Sequence, residues 1–223
     1  MQKINSILLI IIISAIVLIA QERDPAKMAT QYAESAKQNA MLLRQYSWKM
    51  RIEVIQQGET KSTTVYQMRF DLDGNLQQTA ITEPTQQKKK RGIRGKMAAK
   101  KAAEMQEWSG KITELAKKYM APSPGTMMDF LMKASFTTEG DGTVKISGKG
   151  FLQPDDQAIF WGDPNMKNMS RFQFITNMEG DEISGKVDYK QVQGGPQYAA
   201  RTVIEVPTKD FSIKIENYDY IKQ

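Results

Sequence analysis

The sequence contains neither cysteine nor histidine among its 223 residues. Without cysteine the chain cannot form a disulfide, and it lacks the residue that carries the lipid anchor of a bacterial lipoprotein. Without histidine it excludes Ser-His-Asp and Cys-His catalysis and the ordinary zinc, copper and iron sites. Carboxylate chemistry, lysine chemistry and oxygen-ligated metals remain. The composition therefore favours a protein that is not an enzyme and needs no cofactor.

Long hydrophobic runs are absent after the first twenty residues. Residues 7–20 are apolar apart from Ser14, and Lys3 is the only charge before them. This pattern predicts a signal peptide over residues 1–20, cut after Ala20. The alternative is an uncleaved anchor, although a bilayer-spanning helix needs about 20 apolar residues. We therefore expect export to a bacterial periplasm and a single domain over residues 21–223.

Positive charge is concentrated in one block of the sequence. The chain has a formal charge of +6, and eight basic residues without an acidic one lie between positions 88 and 101: Lys88, Lys89, Lys90, Arg91, Arg94, Lys96, Lys100 and Lys101. Such a block predicts binding to an anionic membrane surface or to an acidic partner. Nucleic acid is not an expected partner, because the protein is exported and no aromatic residues interleave with the block. A solvated helix start is the alternative.

The first part of the domain reads as a helix followed by a meander. Asp24-Pro25 is typical of a helix start and predicts a helix over 25–45. Apolar and polar residues then alternate from Trp48 to Val54 and from Tyr66 to Leu72, which predicts two strands with one buried face each. Asp73-Gly74 predicts a hairpin turn into a third strand that ends at Ile81.

Helical periodicity returns in the middle of the chain. Apolar residues three or four apart predict a helix over about 89–119, and residues 124–133 predict a short second helix. Turn residues then separate seven predicted strands: Ser135–Thr138, Thr143–Leu152, Gln157–Trp161, Ser170–Met178, Glu182–Gln191, Gln197–Val206 and Phe211–Asn217. Short strands at this spacing indicate an α+β fold, with a curved antiparallel sheet.

The order of these elements resembles that of a known family. A helix leads into the strand at Tyr46-Ser47-Trp48, a helical insertion follows the meander, and the run of strands closes on the segment 209–218, KDFSIKIENY. In this order the sequence is similar to the periplasmic lipoprotein-carrier proteins, LolA-like and LppX-like. The resemblance implies an incomplete barrel whose concave face is covered by helices, the two inserted helices forming a lid. It also implies a hydrophobic cavity for the acyl chains of a lipid or a lipidated protein.

Two groups of apolar residues are candidates for the lining of such a cavity. They lie on the first two strands and on the short helix: Trp48, Met50, Ile52, Tyr66, Met68, Phe70, Met127, Met128, Phe130 and Leu131. The chain also has 14 methionines, whose unbranched side chains suit adaptable apolar surfaces. An ordinary filled core is the alternative, because patterning does not distinguish a hollow interior from a packed one. We expect a binding protein, or alternatively an envelope interaction module acting through its basic helix; no oligomeric state is predicted.

Two acidic motifs have simpler interpretations than chemistry. Residues 71–75, DLDGN, have the oxygen ligands that begin a calcium loop, but Leu76 and Thr82 stand where such a loop needs Gly and Glu, so a hairpin turn is favoured. Asp155-Asp156 is a pair of adjacent carboxylates. Such pairs can act as acid and base when their environments differ, but on a loop we expect them to be solvated.

Overall fold

The computed structural model describes residues 24–82 and 93–223, so the predicted signal peptide lies outside the described residues. Three helices are present in this part of the chain, α1 (Pro25–Leu43), α2 (Ile93–Met120) and α3 (Pro124–Leu131). Ten strands accompany them: β1 (Tyr46–Gln56), β2 (Glu59–Phe70), β3 (Leu76–Ala80), β4 (Ser135–Thr138), β5 (Val144–Lys149), β6 (Gln157–Gly162), β7 (Met169–Met178), β8 (Asp181–Gln191), β9 (Gln197–Val206) and β10 (Phe211–Lys222).

The ten strands form one antiparallel sheet. Its order is β3-β2-β1-β10-β9-β8-β7-β6-β5-β4, so the last strand of the chain joins the meander to the rest of the sheet. Within the described ranges the two end strands, β3 and β4, do not pair with each other. The sheet is therefore open, and the predicted α+β fold, with a curved sheet covered by helices, is confirmed.

The two inserted helices fill the concave face over strands β5 to β10. Tyr119 of α2 stacks on Phe174 with ring centroids 4.2 Å apart, and Trp108 of the same helix meets Phe211 edge-on at 5.0 Å. Phe130 of α3 packs against Phe160 at 5.5 Å. This half of the interior is a packed aromatic and aliphatic core.

Helix boundaries follow from local capping. Asp24 accepts hydrogen bonds from the backbone N–H groups of Ala26 and Lys27, and Ser123 accepts one from Thr126; a proline follows each cap at the first helical position. Helices α1 and α3 each end two residues before the predicted boundary. None of the helices built from residues 24–82 and 93–223 is long and apolar enough to cross a bilayer.

Strands β2 and β10 depart most from their predicted bounds. Strand β2 begins at Glu59, seven residues before the predicted Tyr66, because its polar first half is held by pairing with β1 rather than by an apolar face. Strand β10 continues beyond Asn217 to Lys222. The register between β1 and β10 shifts between Ser47 and Lys49, and Asp219 has a φ of 54°. Such a bulge changes which side chains face inward.

Candidate functional site

A cleft of about 470 Å³ lies between helix α1 and the concave face of strands β1, β8, β9 and β10. We name it the α1 cleft. Its walls are mostly apolar or aromatic, and they are formed by Tyr32, Ala36, Leu43, Trp48, Met120, Met166, Met169, Tyr189, Tyr198, Ala199 and Tyr220. Three amide side chains, those of Asn39, Gln197 and Asn217, are the main polar groups among them. The cleft is thus the part of the concave face that α2 and α3 leave unfilled.

One end of the floor is a row of aromatic rings from neighbouring strands. Trp48 of β1 stacks on Tyr220 of β10, with centroids 5.4 Å apart and the planes 6° from parallel. Tyr198 of β9 continues the row 4.2 Å from Tyr220, and Phe70 of β2 extends it 5.9 Å beyond Trp48. The indole N–H of Trp48 donates to the side-chain oxygen of Asn217 at 3.1 Å, which fixes the ring against the sheet.

Helix α1 forms the roof, and one amide residue attaches it to the sheet. Asn39 donates to the backbone oxygen of Gln197 at 2.8 Å, and the backbone N–H of Gln197 donates to the Asn39 side chain at 2.6 Å. The Gln197 side chain in turn exchanges two hydrogen bonds with the backbone of Met169, at 2.8 and 3.2 Å. Only Met28 and Ala29 of α1 are fully buried. The helix therefore lies over the cleft with little burial of its own.

Four tyrosines place their rings around the cleft in two pairs. Burial raises the pKa of Tyr189, and the nearby Tyr32 raises it further. Burial likewise raises the pKa of Tyr220, with a further contribution from Tyr198. The pKa of Tyr32 is also raised by burial. Because a raised pKa keeps a phenol protonated, the hydroxyls of Tyr32, Tyr189 and Tyr220 are neutral and able to donate a hydrogen bond at neutral pH.

The residues predicted to line a cavity lie in three environments. Trp48 lines the α1 cleft. Met50, Ile52, Tyr66 and Phe70 are half-buried on the meander, and Met68 is buried there. Met127, Phe130 and Leu131 of α3 have at most 1% of their surface exposed and belong to the packed core, against which the half-buried Met128 also packs. The structure therefore brings only one of the ten predicted residues to the cleft.

Several cleft residues carried no signal that sequence patterning could use. Tyr220 is an odd number of residues away from the inward-facing Phe211 and Ile213, so simple alternation along the strand predicts that it faces outward. The bulge at Asp219 reverses the alternation and turns Tyr220 toward the cleft. Met166 lies in a loop with a φ of 56°, yet its side chain is 1% exposed. Tyr32 belongs to the helix predicted over 25–45, and helical periodicity was the one sequence signal that could have placed its side chain toward the sheet.

The predicted basic block is largely outside the described part of the chain. Lys88, Lys89, Lys90 and Arg91 precede the described start of α2. Arg94, Lys96 and Lys101 lie within the helix by their backbone, and Lys100 is exposed. The anionic-surface prediction for these residues stays a prediction.

The two acidic motifs have structural roles. The Asp71 carboxylate accepts hydrogen bonds from the backbone N–H of Asn75 and from the side chain of Gln77. The backbone N–H of Gly74 donates to the backbone carbonyl oxygen of Asp71 and closes the turn, so the hairpin interpretation is confirmed. Asp155 is exposed as expected, but the expectation that Asp156 is solvated was wrong: it is 1% exposed, because four hydrogen bonds replace water around its carboxylate. Within the described ranges no three acidic side chains are grouped as a metal site would require.

A second cleft, of about 440 Å³, lies where loops meet at one end of the sheet. Most of the residues around it are of polar or charged type, among them Asp141, Thr143, Asp163, Asn168 and Gln191. The α1 cleft is the one whose walls suit an apolar ligand.

Comparison with known proteins finds similarity in structure only. No family model matches the sequence, and no curated protein matches it. Among solved structures, a LolA superfamily protein from Nitrosomonas europaea is 8% identical with a TM-score of 0.38, covering 87% of this chain and 93% of that one. An outer membrane lipoprotein-sorting domain from Vibrio parahaemolyticus is 9% identical with a TM-score of 0.40 and the same coverage. A DUF1329 family protein from Desulfovibrio piger is 10% identical with a TM-score of 0.36, covering 90% of this chain and 94% of that one.

The first two structures carry the names of the carrier family that the element order of this sequence resembles. Their TM-scores, 0.40 or lower, carry no argument about this chain, but the order of helices and strands observed here is the order that the sequence predicted. The likeness says nothing of what the α1 cleft binds.

Proposed function

We propose that the protein is an exported, non-enzymatic binding protein that holds the acyl chain of a lipid or of a lipidated protein in the α1 cleft. The observation that carries this proposal is the cleft itself: about 470 Å³ of space walled by methionine, tyrosine, tryptophan and aliphatic side chains. Ligand pockets of proteins commonly measure about 300–1,000 Å³. The envelope of a bacterium, most simply the periplasm, is the compartment in which such a protein meets its ligand.

Burial alone supplies useful affinity for such a ligand. Each methylene group removed from water contributes about 0.8 kcal/mol. Met120, Met166 and Met169 lie on the cleft walls, and their flexible thioethers can follow chains of different shape. The ligand class is therefore defined by apolar length, and no specific polar contact is required for binding.

A cleft-filling variant tests the proposal directly. Ala36 of α1 lines the cleft, and its side chain is exposed, so Ala36→Trp adds an indole there without removing a core contact. We expect this variant to bind a fluorescent acyl probe at least about tenfold more weakly than the parent protein, and to retain less lipid by mass spectrometry after purification. Gln38→Trp is the matched control, because Gln38 is exposed on the same helix but does not line the cleft. Equal binding by both variants would contradict the proposal.

We also propose that the basic block steers the protein to anionic membrane surfaces. The support is its sequence: eight cations without an intervening acid. Replacing residues 88–91 with Gln should weaken sedimentation with vesicles that contain phosphatidylglycerol and leave acyl-probe binding unchanged. Retained vesicle binding together with loss of a protein partner would instead favour the alternative function, an interaction module of the cell envelope.

A further inference from the structure

Lys167 is the one charged residue in the lining of the α1 cleft. It lies at the rim, in the loop between β6 and β7, and it is exposed. In the described part of the chain it takes part in no ion pair. Among the residues that the structure describes, no acidic one lines the cleft. The electrostatic character of the rim is therefore positive.

The loop that carries Lys167 is held in one conformation by its own hydrogen bonds. The Asp163 carboxylate accepts from the backbone N–H groups of Asn165 at 2.8 Å, Lys167 at 3.3 Å and Asn168 at 2.6 Å. The backbone N–H of Met166 donates to the backbone carbonyl oxygen of Asp163 at 3.0 Å, and the Met166 side chain is buried beneath the loop. The Asp163 charge is thus engaged by the backbone, and the position of Lys167 at the rim is set before a ligand arrives.

The cleft also offers hydrogen-bond donors that the protein itself does not use. Within residues 24–82 and 93–223, the hydroxyls of Tyr32, Tyr189, Tyr198 and Tyr220 take part in no hydrogen bond. Burial raises the pKa of Tyr32, Tyr189 and Tyr220, so these three hydroxyls keep their protons at neutral pH. A ligand with acceptor oxygens can therefore be bound at several points along the cleft.

We propose that the cleft selects acyl ligands whose head is an oxyanion, a carboxylate or a phosphate, with the head beside Lys167 and the chain among the methionines and aromatic rings. This inference depends on the proposed function and adds the class of headgroup to it. An ammonium and phenolic O–H groups all donate, and charge-assisted hydrogen bonds to an anion are about twice as strong as neutral ones.

The opposite charge is disfavoured although the cleft is rich in aromatic rings. Aromatic surfaces attract quaternary ammonium groups through the negative faces of the rings. Here the row of Trp48, Tyr220 and Tyr198 is accompanied by a cation and by no carboxylate, so a cationic head meets repulsion without a counter-charge.

The experiment compares four amphiphiles with the same alkyl length and different heads: palmitate, cetyl phosphate, cetyl alcohol and cetyltrimethylammonium. Each displaces a neutral fluorescent acyl probe from the full-length protein below its micellar concentration. We expect palmitate and cetyl phosphate to bind about tenfold more tightly than cetyl alcohol, and cetyltrimethylammonium to bind more weakly than the alcohol. The order of the two anions decides between a fatty acid and a phosphate-bearing lipid as the source of the oxyanion.

Variants of Lys167 assign the effect to the rim. Lys167→Met should abolish the preference for the two anions over the alcohol, and Lys167→Glu should favour the cation. Lys190→Met is the matched control, since Lys190 is exposed at the same end of the sheet without lining this cleft. Equal binding of all four heads, or a preference that survives Lys167→Met, overturns the inference and leaves the proposed function intact. Failure of every amphiphile to bind overturns both.

Discussion

The hydroxyl of Tyr119 donates a hydrogen bond to the carboxylate of Asp156, with the two oxygen atoms 2.7 Å apart. The backbone N–H groups of Phe151, Leu152 and Gln153 donate to the same carboxylate at distances of 2.6 to 2.9 Å. Four donors thus satisfy a carboxylate that is 1% exposed. Because Tyr119 lies on α2 and Asp156 precedes β6, this group ties the inserted helix to the loop before the strand.

Replacing Asp156 should therefore destabilise the whole domain. In Asp156→Asn the amide NH2 faces groups that are themselves donors, and we expect the free energy of unfolding to fall by about 3 kcal/mol. Tyr119→Phe removes one donor and leaves the three backbone bonds, so we expect a loss of about 1 kcal/mol. Urea denaturation followed by far-UV circular dichroism measures both changes.

Asp155→Asn is the matched control for Asp156→Asn, because it alters the neighbouring exposed carboxylate. It should change the free energy of unfolding by less than about 0.5 kcal/mol. Similar losses from Asp155→Asn and Asp156→Asn would contradict a specific role for the Tyr119–Asp156 pair.

The fold could be predicted from sequence where burial is one-sided. Strand β9 runs from Gln197 to Val206 as predicted, because its inward side chains alternate with outward polar ones and a Gly-Gly-Pro turn precedes it. The first half of β2 was missed because its side chains, from Glu59 to Thr64, are polar on both faces. Backbone hydrogen bonds to β1 hold that segment in the sheet, and backbone pairing produces no alternation of apolar and polar residues in the sequence.

The candidate site could be predicted only in part. Trp48 was found because it begins an alternating strand. Phe130 has the same apolar character, yet it packs against Phe151 and Phe160 with centroids 5.1 and 5.5 Å away, in the filled half of the interior. Whether an inward apolar residue meets a neighbour or empty space depends on where the helices lie. That placement is a tertiary property, and local periodicity does not encode it.

A glycine on β8 is required by the packing of the core. A Cβ built on Gly185 lies 2.1 Å from the Phe174 ring, which is held from the other side by Tyr119. Gly185→Ala should therefore lower the free energy of unfolding by about 2 to 3 kcal/mol. Gly110→Ala is the comparison, because nothing lies within 4 Å of its added Cβ in the middle of α2, and it should stabilise by about 0.5 to 1 kcal/mol. Thermal denaturation of both variants is the measurement, and melting temperatures that move in the same direction would contradict this account.

Alkali should destabilise the protein through its buried tyrosines. Burial raises the pKa of Tyr119, with a further contribution from its bond to Asp156, and burial also raises the pKa of Tyr189. In the unfolded chain a tyrosine ionises near pH ~10. Below that pH both states keep the proton, but above it only the unfolded state releases it. The free energy of unfolding should therefore fall by up to about 1.4 kcal/mol per pH unit for each such group.

Urea denaturation between about pH 9 and about pH 11 checks this pH dependence. Tyr189→Phe removes one of the two groups, so the free energy of unfolding should fall less steeply with pH in that variant than in the parent. A free energy of unfolding that stays constant across the range would show that the two phenols ionise equally in both states.

Loss of the Asn39 side chain should loosen the roof of the α1 cleft without unfolding the sheet. Asn39→Ala removes both hydrogen bonds to the backbone of Gln197, and Met28 and Ala29 remain as the buried residues of α1. Each of these bonds contributes about 1 kcal/mol to holding α1 on the sheet. Amide hydrogen exchange in α1 should therefore accelerate by about tenfold or somewhat more. Exchange in β7 and β8 should stay unchanged, because the core there is built by α2 and α3. Gln38→Ala, which alters an exposed neighbour, should leave α1 as protected as in the parent. Equal acceleration in both variants would contradict a specific role for the contact between Asn39 and Gln197.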